Sequence, residues 1–321
     1  MKKICLTFIC LIGLLTPFVD ASELTYPLSG LPAESQIETE RRPLAVMLDN
    51  HPNARFQAGL SQADVVYEYQ VEGPYTRYMA VFQSQQPEAI GPIRSARPYF
   101  VETASDLGAI YTHFGGSGEG NQKIADLKLN NIDGMKVAES VIWRFYDTGK
   151  EAPHNAYASY QSLSNFSQAQ AYENESSVHP FEYNSEFTQP SGQPGQSVTI
   201  QFNGDNISQF DYKADSQTYA YTKDGSLQVD EYYQVGIEPT NIIVHKMDFQ
   251  PLSASSGTYK VDLNGSGEAQ YFTAGQSMTI TWEKQEGQPF QYFDEAGQPL
   301  KLNPGMTWIA LGKTDITVTA N

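Results

Sequence analysis

The chain has 321 residues and a formal net charge of −17, from 37 acidic and 20 basic side chains. This acidity disfavours nonspecific binding to nucleic acid, so no nucleic-acid partner is predicted and an anionic ligand would need a local basic pocket. Once a predicted signal segment is removed, about three hundred residues remain, enough for two domains with hydrophobic cores.

The first 21 residues are typical of a secretory signal peptide. Lys2 and Lys3 form a basic start, residues 4–15 form an apolar stretch, and residues 19–21 place small side chains at the cleavage positions. We predict cleavage after Ala21 and a secreted or otherwise extracytoplasmic protein. The apolar stretch is shorter than the roughly twenty residues that span a bilayer, so no transmembrane segment is predicted.

The cysteine and histidine patterns argue against disulfide bonds and against a bound metal ion. Cys5 and Cys10 both lie in the predicted signal segment, so the mature chain is expected to have no disulfide and no thiolate nucleophile. Neither a His-x-x-x-His motif nor an EF-hand spacing occurs. We therefore predict no metal and no cofactor, while the oligomeric state stays open.

A polar leader, residues 22–41, precedes a predicted layered α/β domain over residues 42–185. Apolar or alternating patterns predict strands, and a spacing of three to four residues between apolar side chains predicts helices. The predicted strands cover residues 43–48, 64–71, 76–82 and 108–114, and the predicted helices cover residues 95–107, 121–129 and 157–172.

Proline and glycine among Ser, Thr and Gln mark residues 186–196 as a predicted linker. Beyond it, residues 197–321 are predicted to be a β-rich domain without a helix longer than two turns. Its predicted strands cover residues 197–202, 217–222, 241–247, 257–263, 269–272, 277–283, 306–311 and 315–319. The fold class is therefore α+β, with an α/β domain followed by a mainly antiparallel β domain.

Several motifs in order resemble the YerB-like family, a bacterial envelope family with N-terminal and C-terminal domains of unknown function. In the first half they are RPLAVMLDN (42–50), ADVVYE (63–68), VEGPYTR (71–77), GPIRSARP (91–98) and HFGGS (113–117). In the second half they are YF (271–272), GQ (275–276), TWEK (281–284), Asp294, Gly297 and LNPGMTWI (302–309). The resemblance implies an α/β part, a β-rich part and a location outside the cytoplasmic membrane, but no reaction.

The family's usual form carries a lipid on a cysteine after the signal, and this sequence departs from that form. Cys10 follows Thr7, Phe8 and Ile9 rather than a small residue, and no cysteine lies near Ala21. We therefore expect no lipid anchor.

The first candidate site combines arginines with acidic residues of the predicted sheet: Arg77, Arg94, Arg97, His113, Glu68 and Glu72. A guanidinium pairs a carboxylate or a phosphate through two hydrogen bonds. Either the glutamates pair with Arg77 or Arg94 and fix the strand order, or the arginines bind an anion together with the loop that contains Gly115, Gly116 and Ser117. Such a loop, between a strand and a helix, directs backbone N–H groups at one point.

A second candidate cluster contains Arg144, His154 and Asn155, in a segment that is expected to fold back over the first. An imidazole suits proton transfer at neutral pH, but a loop histidine also satisfies nearby carbonyl groups. His51, beside Asp49 and Asn50, carries the same two interpretations, and Asn50 is a candidate ligand-binding residue.

Three functions remain open from the sequence. The leading one is binding of an anionic, phosphate- or carboxylate-bearing envelope ligand, or of an envelope protein. The second is an envelope hydrolase or transferase that uses His113 or His154 as acid or base, with the arginines stabilising negative charge. The third is a structural scaffold without a small-molecule site. Since Ser95 and Ser117 fit helix N-caps and no Gly-x-Ser-x-Gly elbow, a serine hydrolase is not predicted.

Overall fold

The computed structural model describes residues 24–252 and 258–321. The predicted signal peptide, its cleavage site and both cysteines lie outside the described residues. Within the described residues, no helix has the length and apolar character needed to cross a membrane.

The first half of the chain alternates strands and helices. The strands are β1 Leu44–Leu48, β2 Val65–Gln70, β3 Thr76–Phe82, β4 Ile110–His113, β5 Asn131–Asp133, β6 Trp143–Arg144, β7 Ala156–Tyr157 and β8 Glu182–Tyr183. The helices are α1 Gln36–Thr39, α2 Pro98–Asp106, α3 Gly118–Asp126 and α4 Tyr160–Ala169.

The second half, over its described residues, is built from strands. They are β9 Gln193–Pro194, β10 Ser197–Asn203, β11 Asn206–Lys213, β12 Thr218–Lys223, β13 Ser226–Leu227, β14 Asn241–Met247, β15 Phe249–Pro251, β16 Tyr259–Val261, β17 Gly265–Thr273, β18 Gln276–Lys284, β19 Gln291–Phe293, β20 Lys301–Leu302, β21 Thr307–Lys313 and β22 Thr317–Ala320. Few helices and mostly antiparallel or mixed sheets confirm the predicted α+β class.

One main sheet contains strands from both halves of the chain. Its order is β19-β18-β17-β14-β21-β2-β3-β1-β4-β5. Strand β21, from near the end of the chain, lies between β14 and β2 and is parallel to both, with Thr307 opposite Asn241 on one side and Val65 on the other. The sequence pattern did not indicate this shared sheet.

Each face of the main sheet is covered by a second layer. Helices α2 and α3 pack on one face, where Tyr69 stacks on Phe100 of α2 at 4.8 Å. A five-stranded sheet, ordered β13-β12-β11-β10-β22, covers the other face, where Tyr221 and Trp308 have ring centroids 4.5 Å apart. Coverage on both faces explains why β1, β2 and β3 are buried at every position.

Strand β11 is a difference from the sequence-based prediction, which did not include it. Its inward positions include the polar residues Asn206 and Ser208 as well as Phe210, so apolar alternation is weak. These polar side chains face a buried ion pair, described below, and burial of a polar group requires such partners.

The strand directions collect several chain segments at one edge of the main sheet, which we call the carboxyl edge. Strand β1 is parallel to β4, which is parallel to β5, and β3 is antiparallel to both β1 and β2. Strands β1, β2, β4 and β5 therefore end at this edge, and β3 begins there. Asp49, Glu72, Arg77 and His113 consequently lie at the carboxyl edge.

Candidate functional site

Glu68 lies between the main sheet and the five-stranded sheet, and its side chain is not exposed. Its carboxylate accepts hydrogen bonds from Thr76 Oγ1 at 2.7 Å, from Trp308 Nε1 at 3.1 Å and from Ser208 Oγ at 2.9 Å. Its charge partner is Lys223 Nζ at 2.8 Å, with both side chains 0% exposed. The predicted partners Arg77 and Arg94 are therefore replaced by a lysine on the opposite sheet.

Glu72 and Arg97 form a bidentate ion pair at the carboxyl edge. Arg97 Nη2 donates to Glu72 Oε2 at 3.0 Å, and Arg97 Nε donates to Oε1. Partial burial would raise the pKa of the Glu72 carboxyl, but the hydrogen bonds and charge of Arg97 lower it below its ordinary value. Arg97 is thus largely occupied by Glu72, whereas the structural alternative paired the glutamates with Arg77 or Arg94.

The glycine loop is held by internal partners. Gly115 N donates to Asp133 Oδ1 at 3.0 Å, and Ser117 N donates to the Ala96 carbonyl at 3.3 Å. Ser117 Oγ caps α3 as predicted for a helix N-cap. A Cβ atom on Gly116 would lie 2.7 Å from a side-chain oxygen, so the loop packs closely. The loop donors named here are used within the protein.

His113 has no free ring nitrogen. Its Nδ1 lies 2.8 Å from the Gly115 carbonyl oxygen and its Nε2 lies 3.2 Å from Asn131 Oδ1. The side chain is 1% exposed. The predicted role of His113 as acid or base therefore has no support in this geometry, because proton transfer requires a nitrogen that substrate can reach.

His154 and Arg94 meet at one carboxylate. Asp49 Oδ2 lies 2.8 Å from His154 Nδ1 and 3.2 Å from Arg94 Nε, and Asp49 Oδ1 accepts the His51 backbone N–H at 3.0 Å. Asp49 is 3% exposed. We call Asp49, His51, Arg94 and His154 the Asp49 cluster.

His51 completes this cluster by stacking on His154. The two ring centroids lie 4.6 Å apart with an interplanar angle of 21°, and Tyr75 covers His51 at 4.8 Å. His51 Nδ1 accepts the Asn53 backbone N–H at 3.1 Å. Burial, followed by the charge of His154, lowers the pKa of His51. The sequence signal for His51 was its position beside Asp49 and Asn50, shortly after β1.

Arg77 is buried without a carboxylate partner. Its Nη1 donates to the Ser95 carbonyl at 3.0 Å, and among the described residues no ion pair within 4.0 Å involves it. Burial, and then the positive charge of Arg97, lowers the pKa of Arg77 to about 10. The negative charges of Glu72 and Asp49 raise this pKa but do not fully offset the effect of burial.

Arg144, Asn155 and Asn50 position the cluster. Arg144 Nη1 donates to Asn155 Oδ1 at 3.0 Å, and the Arg144 guanidinium lies 4.3 Å from the Phe114 ring centroid. Asn155 is 0% exposed and adjoins His154 in the chain. Asn50 Nδ2 donates to Thr76 Oγ1 at 2.7 Å. The second predicted cluster thus folds against the carboxyl edge, next to the stacked imidazoles.

The structure brings Arg77, Arg94, Glu72, Arg97 and His154 to the same edge but separates Glu68 from them. Over residues 24–252 and 258–321, no group of three His, Cys, Asp or Glu side chains is arranged to hold a metal ion. A cavity of about 670 Å³ lies elsewhere, where β18 faces residues 188–193 and 294–303, and the sequence did not indicate it.

Comparison with known proteins matches both halves of the chain. Residues 28–173 match the model described as "Protein of unknown function (DUF3048) N-terminal domain", and residues 198–309 match the corresponding C-terminal domain. The chain is 31% identical over 292 residues to a Bacillus subtilis (strain 168) protein named "Putative lipoprotein YerB". The aligned residues make up 90% of this chain and 86% of that protein. The crystal structure of YerB protein from Bacillus subtilis has a TM-score of 0.83 at 28% identity, covering 92% of this chain and 100% of that one.

Proposed function

The chain belongs to the YerB-like DUF3048 family, and we propose that it works outside the cytoplasmic membrane, where it binds an anionic ligand of the cell envelope at the Asp49 cluster. The name of the Bacillus subtilis relative as a lipoprotein supports the location, as does the signal-like start of the sequence. The ligand carries phosphate or carboxylate groups, which are the partners that guanidinium groups recognise.

The observation that carries the proposal is the uncompensated charge of Arg77. Arg77, Arg94 and Arg97 carry three positive charges, against the two carboxylates of Asp49 and Glu72. This local excess of positive charge occurs in a chain of net charge −17. A buried cation without a partner is costly, and a bound anion removes that cost.

Arg94 supplies the exposed part of the proposed site. Its side chain is 26% exposed, and its Nε lies 3.2 Å from Asp49 Oδ2 in an ion pair. Within the described part of the chain, the terminal Arg94 nitrogens have no hydrogen-bond partner, so they are free to donate two parallel hydrogen bonds to phosphate or carboxylate. The proposed ligand contact is therefore at the Asp49 cluster, whereas the sequence predicted it at the neighbouring glycine loop.

The test is calorimetric titration of the chain lacking residues 1–21 with inorganic phosphate, with acetate and with glycerol phosphate oligomers. We expect Arg94→Gln to weaken phosphate binding at least tenfold, about 1.4 kcal/mol, because a charged bidentate donor is lost. Arg41→Gln is the matched control, since Arg41 lies at the opposite end of β1 and donates to the Gln83 carbonyl. Equal phosphate and acetate affinities in Arg94→Gln and the parent protein would contradict the proposal and favour a scaffold.

A further inference from the structure

We infer that the ligand of the Asp49 cluster is a sugar phosphate, whose phosphate contacts Arg94 and whose pyranose ring stacks on exposed aromatic side chains beside the cluster. These side chains are Phe56, Phe145 and Tyr146, which we call the aromatic rim. The inference rests on the proposed function, because it requires the same anion at the same arginine. It adds the chemical class of the group that carries the phosphate.

The aromatic rim is unusual because its rings are exposed on the loops that carry the site. The side chains of Phe56, Phe145 and Tyr146 are 39%, 37% and 63% exposed. Single exposed apolar residues are common on protein surfaces, whereas several of them beside a polar site mark an interaction surface. We therefore assign the rim to the ligand and not to the core.

Phe56 belongs to a loop that returns to the start of the cluster. Arg55 Nε donates to Asn50 Oδ1 at 3.1 Å, and Gln57 Nε2 donates to the Asp49 carbonyl at 2.8 Å. Phe56 lies between Arg55 and Gln57 in the chain, so hydrogen bonds on both sides hold its backbone next to Asp49.

Phe145 and Tyr146 belong to a second loop, residues 145–155, which connects β6 to β7. The same loop carries His154, whose Nδ1 lies 2.8 Å from Asp49 Oδ2. The Phe145 backbone N–H donates to the Asn155 carbonyl at 2.9 Å. The two ends of this loop are thus held together, and Phe145 lies opposite the residue that follows His154.

Lys150 joins the two loops. Its Nζ donates to the Phe56 carbonyl at 2.5 Å and to the Tyr157 hydroxyl at 3.0 Å. The Tyr157 ring in turn packs edge-on against the Phe145 ring, with 5.7 Å between the centroids. Phe56 and Phe145 therefore lie near the same buried ammonium group, although 89 positions separate them in the chain.

The polar side chains of the second loop favour a sugar over an alkyl chain. Asp147 and Glu151 are exposed, and neither carboxylate has a hydrogen bond or ion pair with the part of the chain that the structure describes. A carboxylate only accepts hydrogen bonds, and sugar hydroxyl groups are donors. The face of an aromatic ring is electron-rich and attracts the C–H bonds on the face of a pyranose. An alkyl chain would use the rings but not the carboxylates.

The experiment compares three phosphate monoesters by calorimetric titration of the chain without residues 1–21. They are glucose 1-phosphate, glycerol 1-phosphate and octyl phosphate, which carry the same charged group on a sugar ring, a short polyol and an alkyl chain. We expect glucose 1-phosphate to bind at least tenfold more tightly than glycerol 1-phosphate. Arg94→Gln should weaken the binding of both at least tenfold.

Variants of the rim test stacking separately from phosphate binding. Phe145→Ala and Tyr146→Ala should each weaken glucose 1-phosphate binding at least threefold and leave glycerol 1-phosphate binding within twofold. Tyr146 is the more exposed of the two, so its truncation leaves the packing of the loop intact. Phe145→Leu keeps an apolar side chain without a flat ring and should behave as Phe145→Ala does. The matched control is Leu127→Ala, since Leu127 is as exposed as Phe56 but lies at the end of α3, outside both loops.

The outcomes distinguish this inference from the proposed function. Equal, Arg94-dependent affinities for glucose 1-phosphate and glycerol 1-phosphate overturn the sugar class and leave the anion site. Tightest binding of octyl phosphate, unchanged in Phe145→Leu, assigns the rim to an alkyl chain and also overturns it. Binding of none of the three monoesters, or binding that does not depend on Arg94, overturns both the inference and the proposed function.

Discussion

Replacing Glu68 with glutamine tests the buried ion pair that joins the two sheets. Glu68 lies on β2 in the main sheet and Lys223 lies on β12 in the five-stranded sheet, with 2.8 Å between Oε1 and Nζ. Lys223 Nζ has two further acceptors, Asn206 Oδ1 at 2.6 Å and Ser208 Oγ at 2.9 Å. Removal of the Glu68 charge leaves this ammonium group buried without a counter-charge.

The expected loss is about 3–5 kcal/mol of unfolding free energy, the range for breaking a fully buried pair on one side. This is a large fraction of the roughly 5–15 kcal/mol that stabilises a typical domain. The pair formed by Lys213 and Glu238 is a matched control, since its 2.7 Å separation is similar but the side chains are 46% and 29% exposed. Glu238→Gln is expected to cost less than about 1 kcal/mol.

The assay is urea unfolding of Glu68→Gln, Lys223→Met, the double variant and Glu238→Gln. We expect the double variant to lose at least about 2 kcal/mol less than the sum of the single losses, because it removes both buried charges together. A Glu68→Gln loss no greater than that of Glu238→Gln, or additive losses in the double variant, would refute the view that this pair is a buried interaction between the sheets.

Three further predictions concern His245, Arg77 and Gly115. Burial lowers the pKa of His245 to about 3, whereas the unfolded ring, with an ordinary pKa near 6.5, takes up a proton below neutrality. Lowering the pH from 7.5 to 5 should therefore cost the parent protein about 2 kcal/mol of unfolding free energy. The same change of pH should cost His245→Asn about 2 kcal/mol less than it costs the parent, as measured by urea unfolding at both pH values. Arg77→Met should abolish phosphate binding without lowering the melting temperature, since it removes an unpaired buried cation; a lower melting temperature would contradict this. Gly115→Ala should cost about 1 kcal/mol in urea unfolding because Gly115 has a φ of +63°, and an unchanged midpoint would show that the loop relaxes.

Strand positions were predictable wherever the buried faces are apolar. The predicted strands at 76–82 and 241–247 agree with β3 and β14, whose residues are almost all buried. The sequence did not predict strand β11, because Asn206 and Ser208 occupy inward positions and the alternation of apolar residues is therefore lost. The insertion of β21 between β14 and β2 joins residues far apart in the chain, and a pattern of single strands contains no information on such pairing.

The candidate site was predictable in its composition but not in its pairings. Arg94 and His154 were both named, yet the carboxylate that joins them is Asp49, which is 105 residues from His154. Lys223, the partner of Glu68, is 155 residues away and lies on the other sheet. Charge pairs of this kind depend on tertiary packing, so the residue types indicated an ionic cluster without indicating its members.

The most direct test of the anion site is a long-range proton–nitrogen NMR correlation of the five histidine rings during titration with inorganic phosphate. We predict that the resonances of His51 and His154 shift together and saturate, whereas those of His113 and His245 stay in place. Saturation with no shift at either His51 or His154 would place phosphate elsewhere and contradict a ligand site at the Asp49 cluster.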